Sequence, residues 1–145
     1  MELLTMPIVE ISKILRAPLD KAFRWCTDYN EQDPSIAKNP RSRSIIKREG
    51  NVIYLEDEQL DETIPNRRTK VTLYPPNKWV AEFEGSIWQG TGTYTLTKHA
   101  EGTKLTIVFD MTSIQRDFTP EKLCARAIDS WERYGAALES ELSDH

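Results

Sequence analysis

Cysteine and histidine are the scarce residues of this chain. Its 145 residues hold only Cys26, Cys124, His99 and His145 of these types. Neither cysteine has a second Cys or a His at metal-ligand spacing, which argues against a zinc site and against a disulfide scaffold. Both fall on apolar faces of predicted helices and read as reduced, buried thiols. His99 lies in a predicted hairpin loop and His145 ends the sequence. No Ser, Cys or acid stands beside either at a recognisable spacing, so neither a nucleophilic triad nor a metal centre is expected. No cofactor is implied. Long apolar runs are missing too: none approaches 18 residues, so no segment spans a bilayer and no integral membrane contact is expected. Met1–Met6 lacks the basic start and long apolar run of a signal peptide, and the expected location is cytoplasmic.

Excess positive charge is also absent. Nineteen Lys and Arg face 23 Asp and Glu, for a net charge of −4. A general nucleic-acid binder needs a basic face to neutralise phosphates, so no nucleic-acid partner is expected. Arg41, Arg43, Lys47 and Arg48, and then Arg67, Arg68 and Lys70, form two local basic clusters that read as solvated strand and loop charges. Only six glycines occur. The stretch Gly85–Gly92 (GSIWQGTG) lacks the Lys-Ser/Thr ending of a phosphate loop and opens no helix, so its glycines read as places where a strand bends sharply.

What is present is first of all one amphipathic helix. From Thr119 to about Leu142, Leu123, Cys124, Ala127, Ile128, Trp131, Tyr134, Gly135, Leu138 and Leu142 recur at three- and four-residue spacing. At about 100° per residue they share one arc of roughly 140°. Thr119 suits the cap, Pro120 the first helical position, and Glu121 the positive end of the dipole. Such a length spans roughly 36 Å, and one greasy face of that extent needs a sheet to lie on.

The rest of the chain supplies that sheet. Pro7–Leu15 reads as a strand and Pro18–Cys26 as a short helix, with Leu19, Ala22, Phe23 and Cys26 on one side. Tyr29–Asn39 reads as a loop with one further helical turn. Hairpins follow. Arg43–Glu49 and Val52–Leu60 flank Gly50-Asn51, and Asn66–Tyr74 and Lys78–Ile87 flank Pro75-Pro76-Asn77. Parity sets Lys70 and Thr72 with Glu82 and Glu84 on one face, and Val71 and Leu73 with Trp79, Ala81 and Phe83 on the other. A loop at His99–Gly102 sets Leu96 opposite Leu105, Tyr94 opposite Ile107 and Gly92 opposite Phe109. Thr95 then meets Thr106 on a wetter face. No repeat or linker divides the chain, so residues 1–145 form a single domain.

This order of elements resembles the SRPBCC helix-grip superfamily. The likeness lies in the opening strand followed by RAPLDKAFRWCTD (Arg16–Asp28), in GTGTYTLT (Gly90–Thr97) and in GTKLTIVF (Gly102–Phe109). It covers essentially the whole chain, through order and spacing more than through any one motif. The superfamily includes START lipid-transfer domains, the birch-pollen-allergen type and polyketide cyclase/dehydrase-like proteins, and this chain is most similar to the last. The resemblance implies an α+β fold: a seven-stranded, curved antiparallel sheet gripping a long C-terminal helix, with two short helices after the first strand. It also implies a cavity between sheet and helix that takes a hydrophobic small molecule.

The residues predicted to line such a cavity are mostly aromatic. From the first helix and the strands they are Trp25, Tyr54, Leu73, Phe83, Trp88, Tyr94 and Phe109; from the long helix, Leu123, Ala127 and Trp131. Trp79 and Tyr134 are also predicted inward. A core made only for packing uses more branched aliphatics and fewer rings with polar tips. On Val52–Leu60, Tyr54, Glu56 and Glu58 share one face, and Ile53, Leu55 and Asp57 the other; either choice could turn an acid inward. The preferred reading is a long edge strand whose outer half leaves the core with every acid hydrated.

Three functions fit these expectations. The first is a carrier or sensor for a lipid, an isoprenoid or an aromatic polyketide. The second is a polyketide cyclase/dehydratase-type enzyme in which Tyr54, Tyr94 or a nearby acid moves protons, although the sequence offers no defensible acid–base pair. The third is an interaction module resembling the chaperone-ATPase activators of this fold. A homodimer is compatible with all three.

Overall fold

Alternating side chains on successive strands must all turn their apolar members the same way, and that single requirement shapes the sheet. The computed structural model describes residues 8–29, 41–59, 66–85, 88–114 and 119–143. Its strands are β1 (Ile8–Leu15), β2 (Arg41–Glu49), β3 (Val52–Gln59), β4 (Arg67–Tyr74), β5 (Lys78–Glu84), β6 (Trp88–His99) and β7 (Gly102–Ile114). The helices are α1 (Leu19–Thr27) and α2 (Pro120–Ser143). The second short helix predicted after α1 falls at 30–40, outside the described residues.

The strands β2 to β7 follow one another as a meander, and β1 closes the sheet beside β7, giving the order β1-β7-β6-β5-β4-β3-β2. Every pairing is antiparallel. The registers predicted for the last hairpin are the observed ones, with Leu96 opposite Leu105 and Tyr94 opposite Ile107; in the hairpin before it the predicted faces hold, with Lys70 opposite Glu82 and Val71 opposite Ala81. β3 is an interior strand with β2 outside it, not the edge strand of the sequence reading. Two bulges interrupt the ladders, between Ile45 and Lys47 and between Gln89 and Gly90. At the second, Gly90 has φ +149°, and a Cβ there would stand 2.1 Å from the Asp110 carbonyl oxygen. Only glycine allows the strands to approach so closely.

One face of the sheet carries the core. Ile53, Leu55, Val71, Trp79, Ala81, Tyr94, Leu96, Leu105, Ile107 and Phe109 are buried on it. Both helices pack on this side. Ala22 of α1 is fully buried, and Phe23 meets the Trp79 ring edge-on at 6.0 Å. The Thr103 hydroxyl donates to the Ala17 carbonyl at 2.8 Å, tying the start of β7 to the β1–α1 connection. α2 is capped as predicted, with the Lys122 backbone N–H donating to Thr119 Oγ1 at 3.2 Å.

At its C-terminal half α2 rides on β1. A Cβ on Gly135 would come within 2.9 Å of Lys13 Cε and 3.3 Å of Leu15 Cδ2, so the missing side chain sets the approach. Lys13 Nζ pairs with Glu132 at 3.1 Å, and the Arg16 backbone N–H donates to Glu139 at 3.2 Å. Leu123 and Leu138 are buried, whereas Ile128, placed on the apolar arc by its spacing, is 49% exposed. Its position lies at the margin of that arc, where the helix turns away from the sheet. Cys26 and Cys124 form no disulfide among the described residues and are half-buried, less enclosed than predicted.

Candidate functional site

The inner face is divided between an aromatic path and a buried ionic rung. The path begins on α1 and crosses the sheet to α2. From Phe23 it reaches Trp79, which stacks on Tyr94 with centroids 5.0 Å apart and planes at 6°. Tyr94 then meets Phe109 edge-on at 6.4 Å and Trp131 at 6.2 Å, and Trp131 continues to Tyr134 at 5.3 Å. Strand parity explains the alignment, because Trp79 pairs with Tyr94 across β5–β6 on the packed face. Gly92 makes space for these rings: a Cβ there would lie 3.0 Å from Tyr94, 3.2 Å from Phe109 and 3.2 Å from Phe83.

Two polar tips enter this apolar wall. The indole Nε1 of Trp79 is buried and meets no hydrogen-bond acceptor among the described residues. The Tyr29 phenol comes in from the end of α1, at a residue with φ +32°. Arg48 holds that turn by donating from Nη2 to the carbonyls of Asp28 and Tyr29. Burial pushes the Tyr29 phenol well above its ordinary value, and Tyr94 adds to the rise. Arg43 and the Trp79 indole oppose it. The indole thus faces the phenol without reaching hydrogen-bond geometry with it, and remains an unsatisfied donor.

The ionic rung spans three strands. Arg43 of β2 pairs in register with Asp57 of β3, and Asp57 with Arg67 of β4. Arg43 grips the carboxylate with both arms, Nε to Oδ1 at 2.8 Å and Nη2 to Oδ2 at 3.2 Å. Arg67 Nη2 donates to Oδ2 at 3.0 Å. Side-chain exposures are 6% for Arg43, 0% for Asp57 and 14% for Arg67. Each guanidinium also lies over a ring: Arg43 over Tyr29 at 5.8 Å, and Arg67 over Phe83 at 5.0 Å. These contacts overturn two expectations. Asp57 is not hydrated, and Arg43 and Arg67 are not solvated strand charges. Buried acids are tolerated when paired and hydrogen-bonded, and here the flanking strands supply both pairs.

The predicted lining residues separate accordingly. Tyr94, Phe109 and Leu123 are buried in the core. Trp25, Leu73, Phe83, Ala127 and Trp131 are half-buried against it. Tyr54 is not brought to this face: it pairs with Lys70 and alternates with the buried Ile53 and Leu55, so it belongs to the outer face. Trp88 opens β6 opposite Ile114, and its side chain lies outside the described residues. Tyr29, Arg43, Asp57 and Arg67 were not among the predicted site residues. The signal for Asp57 was its parity with Ile53 and Leu55.

A hollow of about 440 Å³ lies between α2 and the β1–β7 end of the sheet. Ile11, Lys13 and Ile107 form its sheet side and Ile128, Trp131 and Glu132 its helix side. No described helix is long and apolar enough to cross a membrane.

Known proteins can now be set beside this geometry. No protein-family pattern matches the sequence, and no curated protein sequence does. Solved structures do. The Zhui aromatase/cyclase from Streptomyces sp. R1128 is 14% identical, with 94% of this chain and 96% of that one covered and a TM-score of 0.77. The di-domain ARO/CYC StfQ from the steffimycin biosynthetic pathway is 14% identical over 94% of this chain and 51% of its own, at 0.74. Ara h 8.0201 is 14% identical over 97% and 99%, at 0.70. At such identities the likeness is one of architecture, and it agrees with the order of elements, the sheet topology and the long closing helix: the chain has the helix-grip fold seen in these structures.

Proposed function

We propose that this protein binds a hydrophobic small molecule of lipid, isoprenoid or aromatic polyketide type between the inner face of the sheet and α2. The observation that carries this reading is the buried indole N–H of Trp79, unsatisfied among stacked rings. A buried donor without an acceptor costs about 1–3 kcal/mol, which a ligand oxygen would recover. Apolar walls with a few fixed polar groups are the usual composition of small-molecule sites. The aromatic path from Phe23 to Trp131 supplies the walls, and Trp79 and Tyr29 the polar groups.

The test is a titration with a long-chain fatty acid and its alcohol, a sterol, a polyprenol and a fused-ring aromatic polyketide, read by indole fluorescence and native mass spectrometry. At least one should bind one-to-one and change the fluorescence, and Trp79→Phe should weaken that binding. Absence of any complex, with no thermal stabilisation by any of the compounds, overturns the proposal.

A second reading is catalytic, and the Tyr29 phenol favours it. The buried phenol, protonated at neutral pH as any tyrosine is, can donate a hydrogen bond to a developing enolate, while the rise caused by its burial makes it a weaker acid than a free tyrosine. Arg43 beside the ring would stabilise the charge that forms. Cyclisation of a linear poly-β-ketone substrate by the purified protein, abolished in Tyr29→Phe, supports this reading; an unchanged product distribution with and without protein removes it.

A further inference from the structure

Tyr29 holds a backbone conformation that its residue type disfavours. Among the described residues it is the only one besides glycine with a positive φ, +32°. A Cβ crowds the backbone in that region, so a bulky residue stays there only where its surroundings hold it. Two holds are visible. Arg48 of β2 donates from Nη2 to the carbonyls of Asp28 and Tyr29, and the Arg43 guanidinium lies 5.8 Å from the centre of the Tyr29 ring. The residue is half-buried because it reaches inward from the end of α1, and its phenol is desolvated beside Tyr94 and the Trp79 indole.

The ring ends at an unfinished hydrogen bond. Trp79 is fully buried and stacks on Tyr94 at 5.0 Å, yet its indole Nε1 has no acceptor, although the Tyr29 phenol lies beside it. A residue placed for packing alone would close that bond. Here the phenol fills the space and leaves the donor unpaired. Two costs therefore meet at one place, a disfavoured backbone and a buried donor without a partner. Both are relieved when another oxygen-bearing ring takes the position of the phenol. Of the rings described around Trp79, Phe23 belongs to α1 and Tyr94 to β6, whereas Tyr29 lies past the end of α1. It can turn out without breaking a helix or a ladder.

We infer that the Tyr29 side chain is a plug in the place of the ligand's leading ring, and that the ligand carries a hydroxylated aromatic ring there. On binding, Tyr29 turns out, the ligand ring settles against Arg43, and its oxygen accepts from Trp79 Nε1. This rests on the small-molecule reading above and selects the aromatic class within it. The position already suits such a ring, with a guanidinium over its face, a stacked aromatic pair beside it and an indole N–H near its oxygen. A saturated chain or a sterol offers the guanidinium no π-face. A plugged site lowers the apparent affinity by the fraction of molecules that are open. The catalytic reading requires the opposite, with Tyr29 kept inside.

The experiment uses protein carrying 3-fluorotyrosine at its five tyrosines, the Tyr29 resonance being identified by its loss in Tyr29→Phe. The probes are 2-naphthol and naphthalene, followed by calorimetry and by fluorine NMR with a soluble gadolinium chelate that broadens exposed positions. In the otherwise unaltered protein the Tyr29 resonance should be protected without ligand and broadened once 2-naphthol is saturating. Naphthalene, which gives the indole no acceptor, should bind about tenfold more weakly than 2-naphthol. Tyr29→Ala should bind 2-naphthol about tenfold or more tightly than the unaltered protein, since no plug is displaced. A Tyr29 resonance that stays protected while 2-naphthol binds overturns the plug, leaves the small-molecule reading standing and favours the catalytic one. Binding to Tyr29→Ala alone also overturns it, because the ring is then a fixed part of the core. Equal affinity for 2-naphthol and naphthalene overturns the hydroxylated-ring assignment. Where circular dichroism shows that Tyr29→Ala does not fold, the fluorine measurement on the unaltered protein decides alone. Failure of 2-naphthol to bind either form overturns this inference, while the wider ligand panel decides the small-molecule reading.

Discussion

A fully buried aspartate held by two arginines is the residue-level feature on which most else turns. Removing one member of such a set leaves uncompensated charge in the interior, typically at a cost of about 3–5 kcal/mol. Asp57→Asn should accordingly lower the free energy of unfolding by about that amount in urea titrations, because Arg43 and Arg67 would face each other with no carboxylate between them. A loss below about 1 kcal/mol would mean that water reaches both guanidiniums. Tyr29 gives a second residue-level expectation. Its folded-state pKa is raised above the unfolded value of about 10, so the folded protein holds the proton more tightly than the unfolded chain. The stability this contributes is complete below about pH 10 and is lost as pH rises through the folded-state value. Urea midpoints measured from pH 8 upward should fall more steeply for the natural protein than for Tyr29→Phe, and parallel curves would contradict the assignment.

Between residue and sheet lies the β2 bulge, and it explains why the rung was illegible in the sequence. The Gly50-Asn51 turn pairs Glu49 with Val52, Arg48 with Ile53 and Lys47 with Tyr54. Continued without interruption, that ladder would set Arg43 opposite Glu58 on the outer face. The bulge inserts Ile46, which is exposed, and moves Arg43 opposite Asp57 on the inner one. A one-residue shift reverses which face every later side chain occupies. The β4–β5 hairpin, and the β6–β7 hairpin between its turn and the bulge at Gly90, were read correctly, because turn and hydrophobic parity agree there. In α2 the local signals sufficed as well. Thr119→Ala should cost about 1 kcal/mol, measurable by chemical denaturation, since it removes the oxygen that accepts from the Lys122 N–H. Gly92→Ala is an element-level test of the aromatic path. Its new methyl would crowd Tyr94, Phe109 and Phe83, and a loss of about 1–3 kcal/mol is expected in the same assay.

For the molecule as a whole, the long helix is packed against the core from Leu123 to Leu142 and tied by side chains to one edge of the sheet. Its C-terminal half is fixed to β1 through Gly135, Glu132 and Glu139, while Trp131 is half-buried and borders the hollow beside β1 and β7. A ligand that fills space under such a helix stabilises the folded state by mass action. At a free concentration about 100 times Kd the gain is about 2.7 kcal/mol, or roughly 5–10 °C in Tm for a chain of this size. The expected result is a concentration-dependent rise in Tm with the compound of the panel that binds one-to-one, read by differential scanning calorimetry, and no rise with those that form no complex.

The amino-acid order alone determined whatever depends on neighbours along the chain: the capped helix from Thr119, the hairpin turns, the parity that buries Val71, Trp79 and Leu96, and through these the helix-grip architecture. Those features follow from periodicity and turn chemistry, which act over a few residues. What only the tertiary structure decided depends on side chains from distant strands meeting in space. Whether Asp57 is hydrated or paired is set by a bulge on β2 and by the first residue of β4. Whether Tyr54 belongs to the site is set by which face the helices cover, and which donors stay unsatisfied by how the rings of α1, β5 and β6 close over one another.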